Sequence, residues 1–373
     1  MKILHVNSYY SDGNFYKNLF DLQVDFGLDI KVYVPASVNK STETKKLGDY
    51  CEKSYVFNEF DRVFFFPKQR KILTDIKNKL KIESFDVIHA HSLFSNGYVA
   101  YQLYKEYGIP YIVAVRNTDV NIFFKKAVHL RSLGEKILCN ATSIVFLSDT
   151  YRENVLQKYI SSQNRKLIFE KTQIIPNGID SFWIQHLYRN KEIVPLNSIN
   201  LLCVATIDNN KNQLKLVEAC EILIQDGWDI NLNLIGAITD QDIYDKIICK
   251  SFVDYLGVME KEELICEYRK NDIFVMPSKT ETFGLVYAEA LSQSVPVVYT
   301  KNQGFDRQFP EGYIGYHVDA GNVESIVEAI KKVRGNYTEL AGNCIKAVEK
   351  FDWAKIGNVY MELYQSIVED ENK

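Results

Sequence analysis

Two glutamates, Glu281 and Glu289, stand in KTETFGLVYAEALSQSVPVV (279–298) with seven residues between them. The run just before, DIFVMPS (272–278), reads as a strand, and KTETFG as the loop that leaves its carboxyl end. Phe283-Gly284 then opens a helical pattern through LVYAEALSQ. Free amides at such a helix start, backed by the helix dipole, attract an anion. Gly284 lets the backbone come close to a phosphate. Glu281, just outside the helix, is placed to face a sugar, and Glu289, about a turn and a half inside it, to accept hydrogen bonds from a ribose diol. Amides for a diphosphate and one carboxylate for each sugar are what a nucleotide-sugar would need. A solvated surface glutamate is the plain alternative for each acid.

The elements that must hold these groups alternate along the whole chain. At 373 residues it exceeds one ordinary core, so two domains are expected. Val/Ile-rich runs at Lys2–Val6, Ile30–Val34, Val87–His91, Tyr111–Val115 and Ile144–Leu147 are separated by helical patterns such as Leu73–Leu80 and Gly97–Tyr107. Near-continuous apolar strands between helices mean parallel strands covered on both faces. A second alternation starts at INLLCVATI (199–207) and runs through INLNLIGA, DIFVMPS, VPVVYT and IGYHVD. Between them, QIIPNGIDSFWIQHLYRNKEIVPLNS (173–198) breaks the pattern with a Pro-Asn-Gly turn and a polar linker. The fold expected is therefore α/β, with two doubly wound domains and a cleft between them. Boundaries fall at 1–177 and 178–351, with a terminal helix over 352–373. A net charge of −4 gives no footprint for nucleic acid. Seven scattered cysteines without a CxxC pair read as reduced residues, mostly filling core positions, of a cytoplasmic protein. Neither a signal peptide nor an 18-residue apolar run is legible.

These stretches resemble the family-4 retaining glycosyltransferases of the GT-B fold over essentially the whole length. Glu281-x7-Glu289 follows that family's PS-x-x-E-x-FG-x-x-x-x-EA signature, IIPNGID (174–180) its interdomain turn, and DYLGV (254–258) the strand and loop beside the nucleotide base. DVIHAHS (86–92) resembles its DvvHaHs strand, and FDWAKIGNVYMELY its terminal helix, which packs back on the first domain. The resemblance implies that Glu281 meets the donor sugar as nucleophile or stabiliser and that Glu289 holds the ribose. It also implies that the amides of Thr282, Phe283, Gly284 and Leu285 meet sugar and phosphate, with Gly257 and Val258 flanking the base. No cofactor and no metal are expected; the donor is a UDP-, GDP- or ADP-sugar. Asp240 and Asp242 in TDQDIYD read as solvated charges starting a surface helix. The acceptor is a glycan or lipid-linked molecule, in cell-surface polysaccharide or glycoconjugate synthesis.

The chain departs from that pattern in several places. The strand opening the second domain usually ends in Gly-Arg, followed by a lysine; the arginine and lysine neutralise the departing diphosphate. Here LLCVATIDNNKNQL offers Lys211, but Thr206 stands at the arginine position. The His-Gly-Thr-Asp of the first domain becomes Arg116-Asn117-Thr118-Asp119. Arg116 can replace the missing cation, or pair with Asp119 as a structural partner. Gly13, His91, Asn117 and Asp119 are expected on the acceptor side, although strand histidines are more often core groups. QGFDRQFPEG (303–312) stands where the family carries GG-x-x-E; Gly304 fits. RVFFFPKQRKILTDIKNKLK (62–81) reads either as a buried strand followed by a solvated helix, or as a basic amphipathic segment that docks on the anionic inner face of a membrane. Two other functions keep the fold: a sugar-nucleotide epimerase, and a donor-binding partner subunit without catalysis.

Overall fold

The computed structural model describes residues 1–10, 15–40, 47–189, 191 and 198–371. The chain forms two compact units: residues 1–147, 152–176 and 353–373 in the first, 148–151 and 177–352 in the second.

The first unit holds a seven-stranded parallel sheet of β1 (Lys2–Val6), β2 (Asp29–Ser37), β3 (Cys51–Phe57), β4 (Val87–Ala90), β5 (Tyr111–Ala114), β6 (Ser143–Phe146) and β7 (Thr172–Ile174). Their spatial order is β3-β2-β1-β4-β5-β6-β7. β4, β5 and β6 are buried at every position, which is why they read as unbroken apolar runs. β3 and β7 lie at the sheet's two edges, where polar side chains reach water and blur the pattern. The segment 62–81 contains no strand: a short turn at Phe60–Arg62 leads into helix Phe65–Lys79, which buries Gln69, Ile72 and Ile76. The terminal helix Trp353–Glu371 packs on this unit, burying Trp353, Ile356, Tyr360, Tyr364 and Ile367 against Leu19 and Phe20.

The second unit is a six-stranded parallel sheet of β8 (Ser198–Val204), β9 (Asp229–Ile235), β10 (Val253–Tyr255), β11 (Ile273–Val275), β12 (Val297–Thr300) and β13 (Gly315–Val318). Its order, β10-β9-β8-β11-β12-β13, reverses direction between β8 and β11, which pair through Ile273 with Leu201 and Phe274 with Leu202. Open parallel sheets bind ligands beyond the carboxyl ends of the strands at such a reversal. The loops after β8 and β11 are thereby brought side by side. Much of the expected linker, residues 192–197, lies outside the described residues.

Candidate functional site

The loop after β8 is folded by one carboxylate. Asp208 accepts hydrogen bonds from the amides of Asn210 and Lys211, both at 2.8 Å, and from the Thr206 hydroxyl at 2.8 Å. Asn210 then fastens this loop to the one after β11. Its side-chain Nδ2 donates to the Thr280 carbonyl at 3.0 Å, and its side-chain oxygen accepts from the Thr280 N–H at 3.1 Å. The result sets Lys211 Nζ 2.7 Å from Glu281 Oε2, with the two side chains only 21% and 14% exposed. Thr206 itself is exposed.

A second lock comes from the loop after β12. Gln303 Oε1 accepts from the Glu281 N–H at 2.9 Å, and the Gly304 N–H donates to the Glu281 carbonyl at 2.8 Å. A side chain at Gly304 would place its Cβ 1.6 Å from the Thr282 carbonyl oxygen, so only glycine lets the two loops touch. Gly304→Ala is therefore expected to displace Glu281 and lower kcat/KM by about 10²-fold, the scale for a misplacement near 1 Å. Steady-state kinetics check this; an unchanged rate would show that the loop contact is dispensable.

Helix Leu285–Ser292 begins at Gly284, whose φ of +75° is left-handed. A Cβ there would meet the Tyr287 ring at 2.6 Å. Phe283 is buried against Phe305 and Phe351 and anchors the turn. The Thr282 amide, expected to meet the donor, donates to Glu281 Oε1 at 3.0 Å in this structure. Glu289 lies within the helix, half-buried, with Oε2 3.3 Å from the Tyr268 hydroxyl. Burial pushes its carboxyl up to about 7; the Tyr268 hydrogen bond opposes the shift and the Asp180 charge adds to it. Asp180, from the PNGID turn, also caps helix Ser181–Gln185 and pairs with Lys261 at 3.0 Å. Gly257 and Val258 follow β10, with Val258 well exposed.

Asp208, Asn210, Gln303 and Tyr268 are the supporting residues that the sequence reading left out. The sequence points to Lys211 in DNNK and to Gly304 in QGFDRQFPEG rather than to their neighbours, and Tyr268 carries no local signal. Asp240 caps helix Gln241–Ile248 by accepting from the Ile243 amide, and Asp242 is exposed in its first turn, as solvated charges would be.

In the first unit, Asp119 is fully buried and accepts three backbone N–H bonds, from Leu93, Phe94 and Arg116. Burial pushes its carboxyl up to about 6, against the pull of those amides and the Arg116 charge. It thus fixes the chain after β5, so that Arg116 leaves the sheet's carboxyl end with its side chain hydrogen-bonded to Tyr360. Asn117 is exposed and accepts from the Asn121 side chain. His91 has no exposed surface. Its Nε2 lies 3.0 Å from His5 Nδ1, while His89 Nδ1 lies 2.7 Å from the Tyr364 hydroxyl. Burial pushes His5 down to about 3 and His89 and His91 well below the ordinary histidine range, so the three imidazoles stay neutral. Gly13 lies outside the described residues.

Residues 184–351 match the family described as Glycosyl transferases group 1, and residues 13–181 match Glycosyltransferase Family 4. The chain is 26% identical to an uncharacterized 41.2 kDa protein in the cps region of Klebsiella pneumoniae, over 91% of this chain and 92% of that one. Sucrose-phosphate synthase from Thermosynechococcus elongatus shares the fold with a TM-score of 0.76 at 19% identity, covering 98% and 99% of the two chains. An Anabaena protein solved in complex with UDP-glucose aligns with a TM-score of 0.68 at 17% identity, covering 98% and 100%. Both halves of the chain are matched, the first by one family model and the second by the other. The chain belongs to the group 1, family-4 glycosyltransferases, built on the GT-B fold.

Proposed function

We propose that this chain is a retaining glycosyltransferase that moves a sugar from a nucleotide-diphosphate sugar to a glycan or lipid-linked acceptor. The observation that carries the reading is the Lys211–Glu281 pair, 2.7 Å apart at the strand-order reversal and beside the start of helix Leu285–Ser292. In the proposal Lys211 moves from Glu281 to the diphosphate when the donor enters, and charge building on the leaving group strengthens that contact. Glu281 is then released to face the donor sugar, and the Thr282 amide with it. Glu289 holds the ribose, and Gly257 and Val258 border the base. The UDP-glucose in the Anabaena neighbour supports a nucleotide-sugar donor.

The first test is a thermal-shift screen of UDP-, GDP- and ADP-glucose, because a ligand that binds only the folded state raises Tm. No shift with any of them would remove the donor reading. Transfer should survive EDTA, since the proposal leaves the diphosphate to cations and amides of the chain; loss of rate restored by Mg²⁺ would overturn that part. Exposed Thr206 at the family's arginine position favours one second reading, donor binding without turnover. A thermal shift without product across an acceptor panel would select it.

Glu289 gives a pH prediction. A ribose diol donates to the ionised carboxylate, and the free carboxyl sits near pH 7. UDP-glucose does not titrate in this range, so its affinity should rise with pH up to about 7 and level off above it, falling at most tenfold per unit below. Glu289→Gln should flatten the profile and raise KM more than it lowers kcat. Calorimetric titration across that range checks it, and a flat wild-type profile would take Glu289 out of the ribose contact.

A further inference from the structure

The first unit carries an apolar surface that the sugar-transfer reading does not use. Phe60 and Val63 are 71% and 74% exposed, and Phe64 and Phe66 follow them as exposed side chains at the start of helix Phe65–Lys79. Aromatic contacts make this surface continuous with a second segment. Phe65 lies 5.9 Å from the Phe123 ring, and Phe123 belongs to the π-helical turn Asp119–Phe124. Just beyond, Ile122 and Val128 are exposed as well. Soluble surfaces rarely gather this many large apolar groups without a partner.

Charge decides what the partner is. Segments 59–71 and 120–130 carry six lysines and arginines against two acids, in a chain whose net charge is −4. Both acids, moreover, face basic neighbours: Asp61 pairs with Lys71 at 2.8 Å and Glu59 with Arg62 at 3.5 Å. Lys125 and Lys126 stand exposed between Ile122 and Val128. Exposed phenylalanines in segments rich in basic residues match a headgroup layer, where rings enter the acyl boundary and ammonium groups meet lipid phosphates. No described helix is long and apolar enough to cross a membrane, so the contact would be peripheral.

We propose that this face, Phe60–Phe66 together with Ile122–Val128, docks the protein on an anionic lipid surface. The π-helical turn begins three residues after Arg116, so the face lies next in the chain to the residues expected on the acceptor side. Docking would present that end of the first sheet to a membrane-held acceptor. The proposal goes beyond the sugar-transfer reading and does not depend on it.

The test is co-sedimentation of the full chain with vesicles of phosphatidylcholine, alone or mixed with phosphatidylglycerol. Binding should appear only with the anionic mixture and weaken with salt. Each basic residue near such a surface is worth about fivefold in partitioning, so Lys125→Glu/Lys126→Glu should reduce binding at least about 25-fold. Val63→Ser/Phe64→Ser should reduce it tenfold or more, on the order of the apolar area these exposed side chains would bury. All four positions are exposed, so Tm should hold in both variants and serve as the control. Equal binding to neutral vesicles, no binding at all, or wild-type binding by both variants would overturn the proposal. So would a concentration-dependent dimer, abolished by the same variants, in place of vesicle binding.

Discussion

Lys211→Ala is expected to lower kcat for transfer from UDP-glucose by about 10²- to 10³-fold, the scale for removing one preorganised charge from a developing anion. The loss should fall mainly on kcat, because the contact strengthens as the glycosidic bond breaks and the diphosphate gains charge. Lys211→Arg keeps the charge but not the compact ammonium, so it should recover part of the rate. Lys211→Ala also leaves the Glu281 carboxylate without its partner at 2.7 Å. A second variant, Glu281→Gln, separates the two effects. If Lys211 acts only by restraining Glu281, the double variant should match Glu281→Gln alone. If it acts on the diphosphate, the double variant should be slower by a further large factor. A rate within threefold of wild type in Lys211→Ala would end the proposed role.

Arg116→Ala carries an effect of similar size in the first unit. Arg116 stands where the family usually has histidine, and one of the two roles its sequence position suggests is to supply the cation missing at Thr206. Removing it should lower kcat by about two to three orders of magnitude. Arg116→Lys should restore a smaller share than Lys211→Arg does at its own site, since a planar fork is replaced by a point charge. The competing role is structural. The Arg116 side chain is hydrogen-bonded to Tyr360 of the terminal helix, and its N–H to Asp119 at 2.9 Å. The backbone bond survives substitution and the Tyr360 bond does not. A drop in Tm with kcat intact would therefore assign Arg116 to the helix contact and remove it from the chemistry.

Much of this molecule was legible along the chain. Strands such as β4, β5 and β12 are buried at every position, so their apolar runs stand out between helices. The glutamate pair, the Phe-Gly helix start and the Pro-Asn-Gly turn lie within short stretches whose local pattern carries their meaning. β3 and β7 were not legible, because edge strands face water on one side and CEKSYVF and TQI read as polar connections. Residues 148–151 read as part of the first domain, yet they fold with the second unit, where Thr150 donates to the Asp306 carbonyl at 3.0 Å.

What the sequence by itself determined was the kind of protein and the chemistry it holds: alternating buried strands and helices, two acids around a helix start, a lysine after the first strand of the second half. What only the tertiary structure decided was which of those groups meet. Lys211 and Glu281 are 70 residues apart, and their contact exists because β8 pairs with β11 rather than with another strand. Burial of Asp119 and His91 was likewise settled by neighbours from distant strands and helices. Hydrophobic periodicity says that a strand is covered; it carries no address for the strand that lies beside it. That choice is made by packing and by the right-handed crossovers that parallel strands require, and in this chain it is the choice that assembles the site.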